Sequence, residues 1–184
     1  MTTFYLVRHA HADWTPDENR PLSAQGSRDA IRVADILSDF HVDTIYSSPA
    51  TRARQTIAPF AKRIGLKILI EPDLRERKLG EENFEDFFGA VETTWRNPSL
   101  AHPGGESSVE AQKRGVAVVK RLQAESPNET VVLSTHGNLM TLILQAFDPT
   151  IDFLFWKSLT MPDVYNIMIT SSGKVSIQSV WNDK

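Results

Sequence analysis

The sequence predicts an α/β fold: a three-layer sandwich with a mostly parallel central sheet flanked by helices, and a small cap insertion at about 71–106. Two patterns carry that prediction. Short apolar runs of strand character alternate with segments of helical periodicity along most of the chain. Two of those strands run directly into a histidine, as buried parallel strands do where they end at the ligand-binding edge of a sheet. A length of 184 residues suits one domain and is short for two.

Taken in order, Phe4–Val7 is an apolar run that stops at Arg8 and His9, and 16–26 is polar and turn-rich, a surface loop. From Ser27, Ala30, Ile31, Ala34 and Leu37 recur at helical spacing, which predicts a helix ending near Phe40. Val42–Tyr46 is the next strand. Ser48 then suits an N-cap and Pro49 the first helical position, with the helix running to Ile64 and stopped by Gly65. Lys67–Ile70 is a third strand.

The segment 71–106 breaks the alternation. It is charged and aromatic, interrupted by Pro72, Pro98 and Pro103, with one helix around Phe84–Arg96, and reads as an insertion over one end of the sheet. Ser108–Glu125 follows as a long amphipathic helix with Ala111, Gly115, Val118, Val119 and Leu122 inward. Thr130–Ser134 is a strand leading to His136, and 137–147 a helix. Ile151–Trp156 fits either a core element or a dimer contact. Val164–Thr170 and Val175–Val180 alternate as a hairpin turning at Ser172-Gly173.

Composition narrows the function. A 41% hydrophobic and 23% charged chain is that of an ordinary globular protein. A net charge of −3 gives no general attraction to nucleic acid or to an anionic membrane, so any anionic ligand must be held by a local cluster of cations. The absence of cysteine excludes disulfides, thiolate metal sites and a cysteine nucleophile. The N-terminus lacks the pattern of a signal peptide, and no run of about 18 apolar residues is present to span a membrane. The expected location is cytoplasmic.

Five segments carry candidate chemistry. Leu6-Val7-Arg8-His9-Ala10 sets a guanidinium beside an imidazole. Alone, the pair also reads as a surface feature of a loop; toward phosphate, neutral imidazole is a nucleophile and the guanidinium a bidentate ligand. In Ser47-Ser48-Pro49-Ala50-Thr51-Arg52-Ala53-Arg54, Arg52 falls in the first helical turn, where the dipole favours an anion. Arg54 lies roughly 200° around the same helix, so at most one of the two faces a site, and position relative to the strand end favours Arg52. Ser134-Thr135-His136-Gly137 repeats the strand-to-histidine pattern. In Leu74-Arg75-Glu76-Arg77-Lys78-Leu79-Gly80 the acid is either part of an exposed charged loop or a proton donor to a leaving oxygen. His102-Pro103-Gly104-Gly105-Glu106-Ser107 suits a helix-start device.

In this order, the five segments resemble the histidine phosphatase superfamily, also called phosphoglycerate-mutase-like, over almost the whole chain. The resemblance implies that His9 is the phosphorylated nucleophile, that Arg8, Arg52 and His136 form the phosphate pocket, and that Glu76 is the acid/base. It implies no cofactor and no metal, and a small phosphorylated metabolite or phosphate as the ligand. His9 must be neutral to attack, His136 is expected protonated beside the two arginines, and Glu76 needs a pKa high enough to hold a proton at the start.

Three departures stand out. Ala10 replaces the usual glycine after the nucleophile, where a positive φ would be costly. Thr15, or Asn19, stands in for a loop asparagine that often binds phosphate. Arg8-His9-Ala10-His11-Ala12 with Arg20-Pro21-Leu22 looks more like small phosphohistidine phosphatases, which generally lack the Leu-x-Glu and Pro-Gly-Gly-Glu-Ser segments. The readings are therefore a small-molecule phosphatase whose cap aromatics Phe84, Phe87, Phe88 and Trp95 either line the pocket or pack the cap, a protein phosphohistidine phosphatase, a mutase (for which the chain is short), and a phosphate-binding module without turnover. Monomer and homodimer both remain open.

Overall fold

The computed structural model describes residues 1–15, 17, 19–81 and 84–181. Pro16 and Glu18 of the expected loop, and Glu82 and Asn83 of the expected insertion, lie outside them. Six strands form one sheet in the order β3-β2-β4-β1-β5-β6. They are β1 (Thr2–Arg8), β2 (Thr44–Ser47), β3 (Ile68–Ile70), β4 (Thr130–Thr135), β5 (Asp163–Ile169) and β6 (Val175–Ser179). The β3-β2-β4-β1 half is parallel, and the closing hairpin β5-β6 adds to it antiparallel, turning at Gly173 with φ 80°.

Both faces of the central strands are buried, and the alternation of side chains divides the core in two. Phe4, Leu6, Val131 and Leu133 face one layer, where they pack on α4 (Ser108–Glu125) and α5 (Gly137–Phe147). Tyr5, Val7, Ile45 and Val132 face the other, against α1 (Ala24–Leu37) and α2 (Thr51–Ile64). The sandwich is the expected one. Among the described residues no helix is long and apolar enough to cross a membrane.

Several boundaries move. α1 begins three residues before Ser27 because Ser23 is its N-cap, accepting the Gly26 N–H, and it ends at Leu37 rather than near Phe40. Ile31 is exposed while Val33 is buried: the stripe runs through Ala30, Val33, Ala34 and Leu37. α2 is not capped by Ser48. Its N-cap is Ala50, without a side-chain bond; the Ser48 hydroxyl lies against the buried imidazole of His136 and accepts the Ala50 N–H at 3.3 Å. Gly65 ends α2 in the left-handed conformation, as expected.

Between β3 and α4 the chain makes a short 3-10 turn (Pro72–Leu74) and α3 (Phe87–Arg96). Ser107 starts α4 through a reciprocal capping box with Glu110, while Glu106 grips Arg114 with both oxygens at 2.7 and 2.8 Å. The helix-start reading of that motif therefore holds for Ser107, whereas Glu106 serves to pair Arg114. Ile151–Trp156 contains the start of a short helix, α6 (Phe153–Ser158); Ile151 and Trp156 belong to the core, whereas Leu154 is 67% exposed.

Candidate active site

Strand register brings the pieces together. Arg8 of β1 is level with Thr135 of β4, and Ser47 of β2 with Ser134, so His9, Ser48 and His136 leave adjacent strands side by side at one edge. Backbone bonds continue one step past the ladder, from His9 N–H to Thr135 O (3.0 Å) and from Ser48 N–H to Ser134 O (2.9 Å). The two imidazole centroids lie 5.1 Å apart, nearly edge to face.

His9 is buried, and its Nδ1 is 2.7 Å from the Ala10 carbonyl oxygen. A carbonyl can only accept, so Nδ1 carries the proton and Nε2 presents its lone pair. Burial pushes the His9 pKa down to about 3, with the positive fields of Arg52, Arg8 and Arg20 adding to it and the Ala10 carbonyl opposing it. The imidazole is neutral at physiological pH, as an attacking nitrogen requires. The concern about Ala10 is corrected: among the described residues Asn128 is the only non-glycine with positive φ, so Ala10 sits in ordinary backbone. It is fully buried and its N–H donates to Thr56 Oγ1 at 2.9 Å, which ties the loop to α2.

Arg52 lies between the histidines. Its Nε donates to His9 Nε2 at 3.2 Å and its terminal nitrogen to His136 Nδ1 at 3.3 Å. Arg54 is exposed and bonds Thr51, so of the two arginines Arg52 is the one beside the histidines. Since a guanidinium only donates, His136 Nδ1 accepts, and Nε2–H points to Ser48 Oγ at 2.8 Å. His136 is thus neutral in this arrangement, whereas the protonated form expected from the sequence concerns the site holding a phosphoryl group. Complete burial lowers its pKa, followed by the charges of His9, Arg52 and other arginines.

Arg8 donates to the carbonyls of Leu159 and Thr160 at 3.1 and 3.0 Å, which aims its guanidinium across the start of α5. A Cβ on Gly137 would come within 2.8 Å of Arg8 Nε. Only glycine admits the guanidinium at that point. Gly137→Ala is therefore expected to reduce kcat/KM on the order of tenfold to a hundredfold while leaving the melting temperature nearly unchanged, because it shifts a site group rather than the core. Steady-state kinetics with a thermal melt checks both halves.

Glu76 reaches the same site by a different route. Thr135 Oγ1 holds the Leu74 carbonyl at 2.8 Å, bringing the following loop over the sheet edge. The two Glu76 oxygens accept N–H bonds from Asn138 (3.0 Å) and Leu139 (2.9 Å) in the first turn of α5, and from Arg77 (2.9 Å). Its neighbour Arg77 is buried and donates to Thr94 and Ser108, fastening α3 to α4.

Two cavities that share Arg20, Arg52, Glu76 and Arg77 in their linings open over these residues. One, about 450 Å3, is lined by Arg8, His9, Arg52, Glu76 and Gly137; the other, about 530 Å3, by Ser48, Arg52, Glu76 and His136. Asn19 lines the second, whereas Thr15 is exposed and lines neither. The residue that sequence reasoning missed is Arg20. It lines both cavities, and its charge lowers the pKa of both histidines. Its signals were the Arg20-Pro21-Leu22 segment, noted for its resemblance without a role given to Arg20, and the demand for clustered cations in a chain of net negative charge. Of the cap aromatics, Phe87 lines a cavity; Phe84 lies against His102, the rings tilted by 60°, and Trp95 packs against the core.

A sequence profile of the histidine phosphatase superfamily (branch 1) matches residues 4–183. The chain belongs to that superfamily. With it, the chain is a phosphoric monoester hydrolase of the histidine phosphatase type. It is 29% identical over 150 residues to PhoE of Bacillus subtilis, described as an uncharacterized phosphatase, covering 78% of this chain and 76% of that one. It is 31% identical over 151 residues to a probable phosphoglycerate mutase, GpmB, of Escherichia fergusonii, covering 74% and 70%. The phosphoserine phosphatase of Entamoeba histolytica, solved with 3-phosphoglyceric acid, superposes with a TM-score of 0.82 over 100% of this chain and 98% of the other, at 18% identity. That likeness is one of fold.

Proposed function

We propose that the protein is a metal-independent phosphatase that hydrolyses phosphomonoesters through a phosphohistidine on His9. The observation that carries this reading is the His9 tautomer: Nδ1–H is fixed on the Ala10 carbonyl, Nε2 is unprotonated, and it lies against a cluster of arginines.

Arg8, Arg52 and His136 bind the phosphate, with Arg20 adding positive field and Asn19 at the rim of the second cavity; Thr15 has no part in it. The Arg52 Nε–H occupies the lone pair of His9 until an anion draws the guanidinium away, so substrate binding itself uncovers the nucleophile. A phosphate dianion beside His136 also raises the affinity of that imidazole for a proton. In the first step Nε2 forms the N–P bond, the ester P–O bond breaks, and the alcohol oxygen leaves with the electron pair and takes a proton from Glu76. In the second, water attacks phosphorus, Glu76 takes its proton, and the N–P bond breaks to return neutral His9 and inorganic phosphate. Since both Glu76 oxygens hold backbone N–H groups, its proton sits on a remaining lone pair or follows a small rotation of the carboxyl.

Rapid mixing with a 32P-labelled monoester and denaturing quench tests the reading. The expected product is a protein-bound phosphate that survives alkali and is lost in acid, the behaviour of a phosphoramidate, mapping to the peptide containing His9. Turnover without any such species, or a label on another residue, would overturn it.

A further inference from the structure

The two cavities differ in chemistry, and the difference bears on the substrate. The one that contains Arg8 and His9 has a floor of reacting groups and an apolar wall: Trp14, Leu79, Phe87, Val91, Trp156 and Met161. The one that contains His136 has an apolar contribution only from Pro49 and Ala50, and it carries Arg75 and Lys78. Those two cations do not line the His9 cavity. They are also already engaged, Arg75 with Asp73 at 2.8 Å and Lys78 with Glu81 at 3.9 Å.

The apolar wall is built and open. Trp156 is nearly buried at its base, with the Phe87 and Phe88 rings 6.5 and 6.0 Å from it. Trp14, Phe87 and Met161 around the mouth remain 70%, 48% and 37% exposed. Apolar surface left facing water around a cavity is stabilised when an apolar group covers it. A phosphoryl group seated against His9 points its leaving group away from Nε2, because attack and departure are in line. His9 lines this cavity and not the other, so the space that receives the leaving group is the one bounded by that wall.

Resting on the phosphatase reading above, we infer that the substrate's leaving group is apolar, an aryl or arylalkyl alcohol seated between Trp14, Phe87, Trp156 and Met161. A short acidic ester such as phosphoserine or 3-phosphoglycerate would place a carboxylate against this wall, where the cations of the cavity beyond those committed to the phosphate reduce to Arg77, which is buried and already donates to Thr94 and Ser108.

The test compares 2-phenylethyl phosphate with phosphoserine and 3-phosphoglycerate, all alkyl esters, so that leaving-group basicity does not decide the outcome. The phenylethyl ester is expected to have a kcat/KM at least about tenfold higher. Phe87→Ala and Trp14→Ala, both at exposed positions, are expected to cut that value several-fold through KM while changing phosphoserine hydrolysis by less than about twofold. Preference for either acidic ester, or equal losses on all three substrates in both variants, overturns the inference and leaves the phosphatase reading standing. Turnover of none of the three, with no labelled phosphoenzyme, defeats both.

Discussion

Replacing His9 by alanine is expected to lower kcat for p-nitrophenyl phosphate by at least about a thousandfold, with the fold intact. The size follows from the mechanism. Arg8, Arg52 and His136 can still bind and polarise a phosphate without His9, but direct attack by water must then replace a positioned nitrogen. Stability should change little, because the His9 ring makes a local bond to the adjacent carbonyl, an edge contact with the His136 ring and a contact with Arg52, whose charge disfavours protonating it. Wild-type turnover no greater than that of the variant, on this ester and on a panel of others, would remove His9 from the chemistry. The wild-type profile carries a second expectation. Burial first, and the arginines after it, hold the His9 pKa near 3, so any loss of kcat/KM on acidification between pH 7 and 5 belongs to another group, with the phosphate's own second ionisation the first candidate.

Much of this was legible in the sequence, for reasons that differ by residue. Arg8, His9 and His136 were found because a parallel strand buried on both faces is a continuous apolar run, and the residue that ends it must lie at the sheet edge. Arg52 was separated from Arg54 by helix geometry alone. Gly65 marked the end of α2 because the left-handed turn there is costly for other residues. What escaped depended on contacts between distant segments. Ser48 suits an N-cap locally, but the unpaired nitrogen of His136, 88 positions away, claims its hydroxyl. Helix α6 is six residues long, too short for periodicity to announce, and it carries Trp156, the base of the apolar wall. Arg20 comes from a loop, where no repeat fixes the direction of a side chain. The neutral state of His136 without an anion could not be read from the sequence, because a count of charges near a phosphate does not include the cost of burying an imidazolium beside arginines.

That last point gives Arg52→Gln a readout beyond lost activity. Arg52 is the group that touches both imidazoles, and a phosphoryl group in transfer spreads its charge over equatorial oxygens that a guanidinium can hold in pairs. Removing it is expected to lower kcat/KM by about a hundredfold to a thousandfold. Arg52→Lys should fall between, since it keeps the charge and loses the fork. The positive field of Arg52 also depresses the pKa of His9 and His136, so its loss must move both upward. Burial is the larger cause and remains, so the recovery toward the ordinary histidine value is partial. The wild-type acid limb above pH 5 is not that of His9, so the shift is read on the imidazole itself, by NMR titration of its ring protons: the His9 pKa is expected to rise in Arg52→Gln and to stay close to wild type in Arg52→Lys. If the glutamine variant loses activity but leaves the His9 titration where it is, Arg52 serves only to position the phosphate. If the titration moves upward, the same guanidinium both binds the substrate and keeps its nucleophile unprotonated.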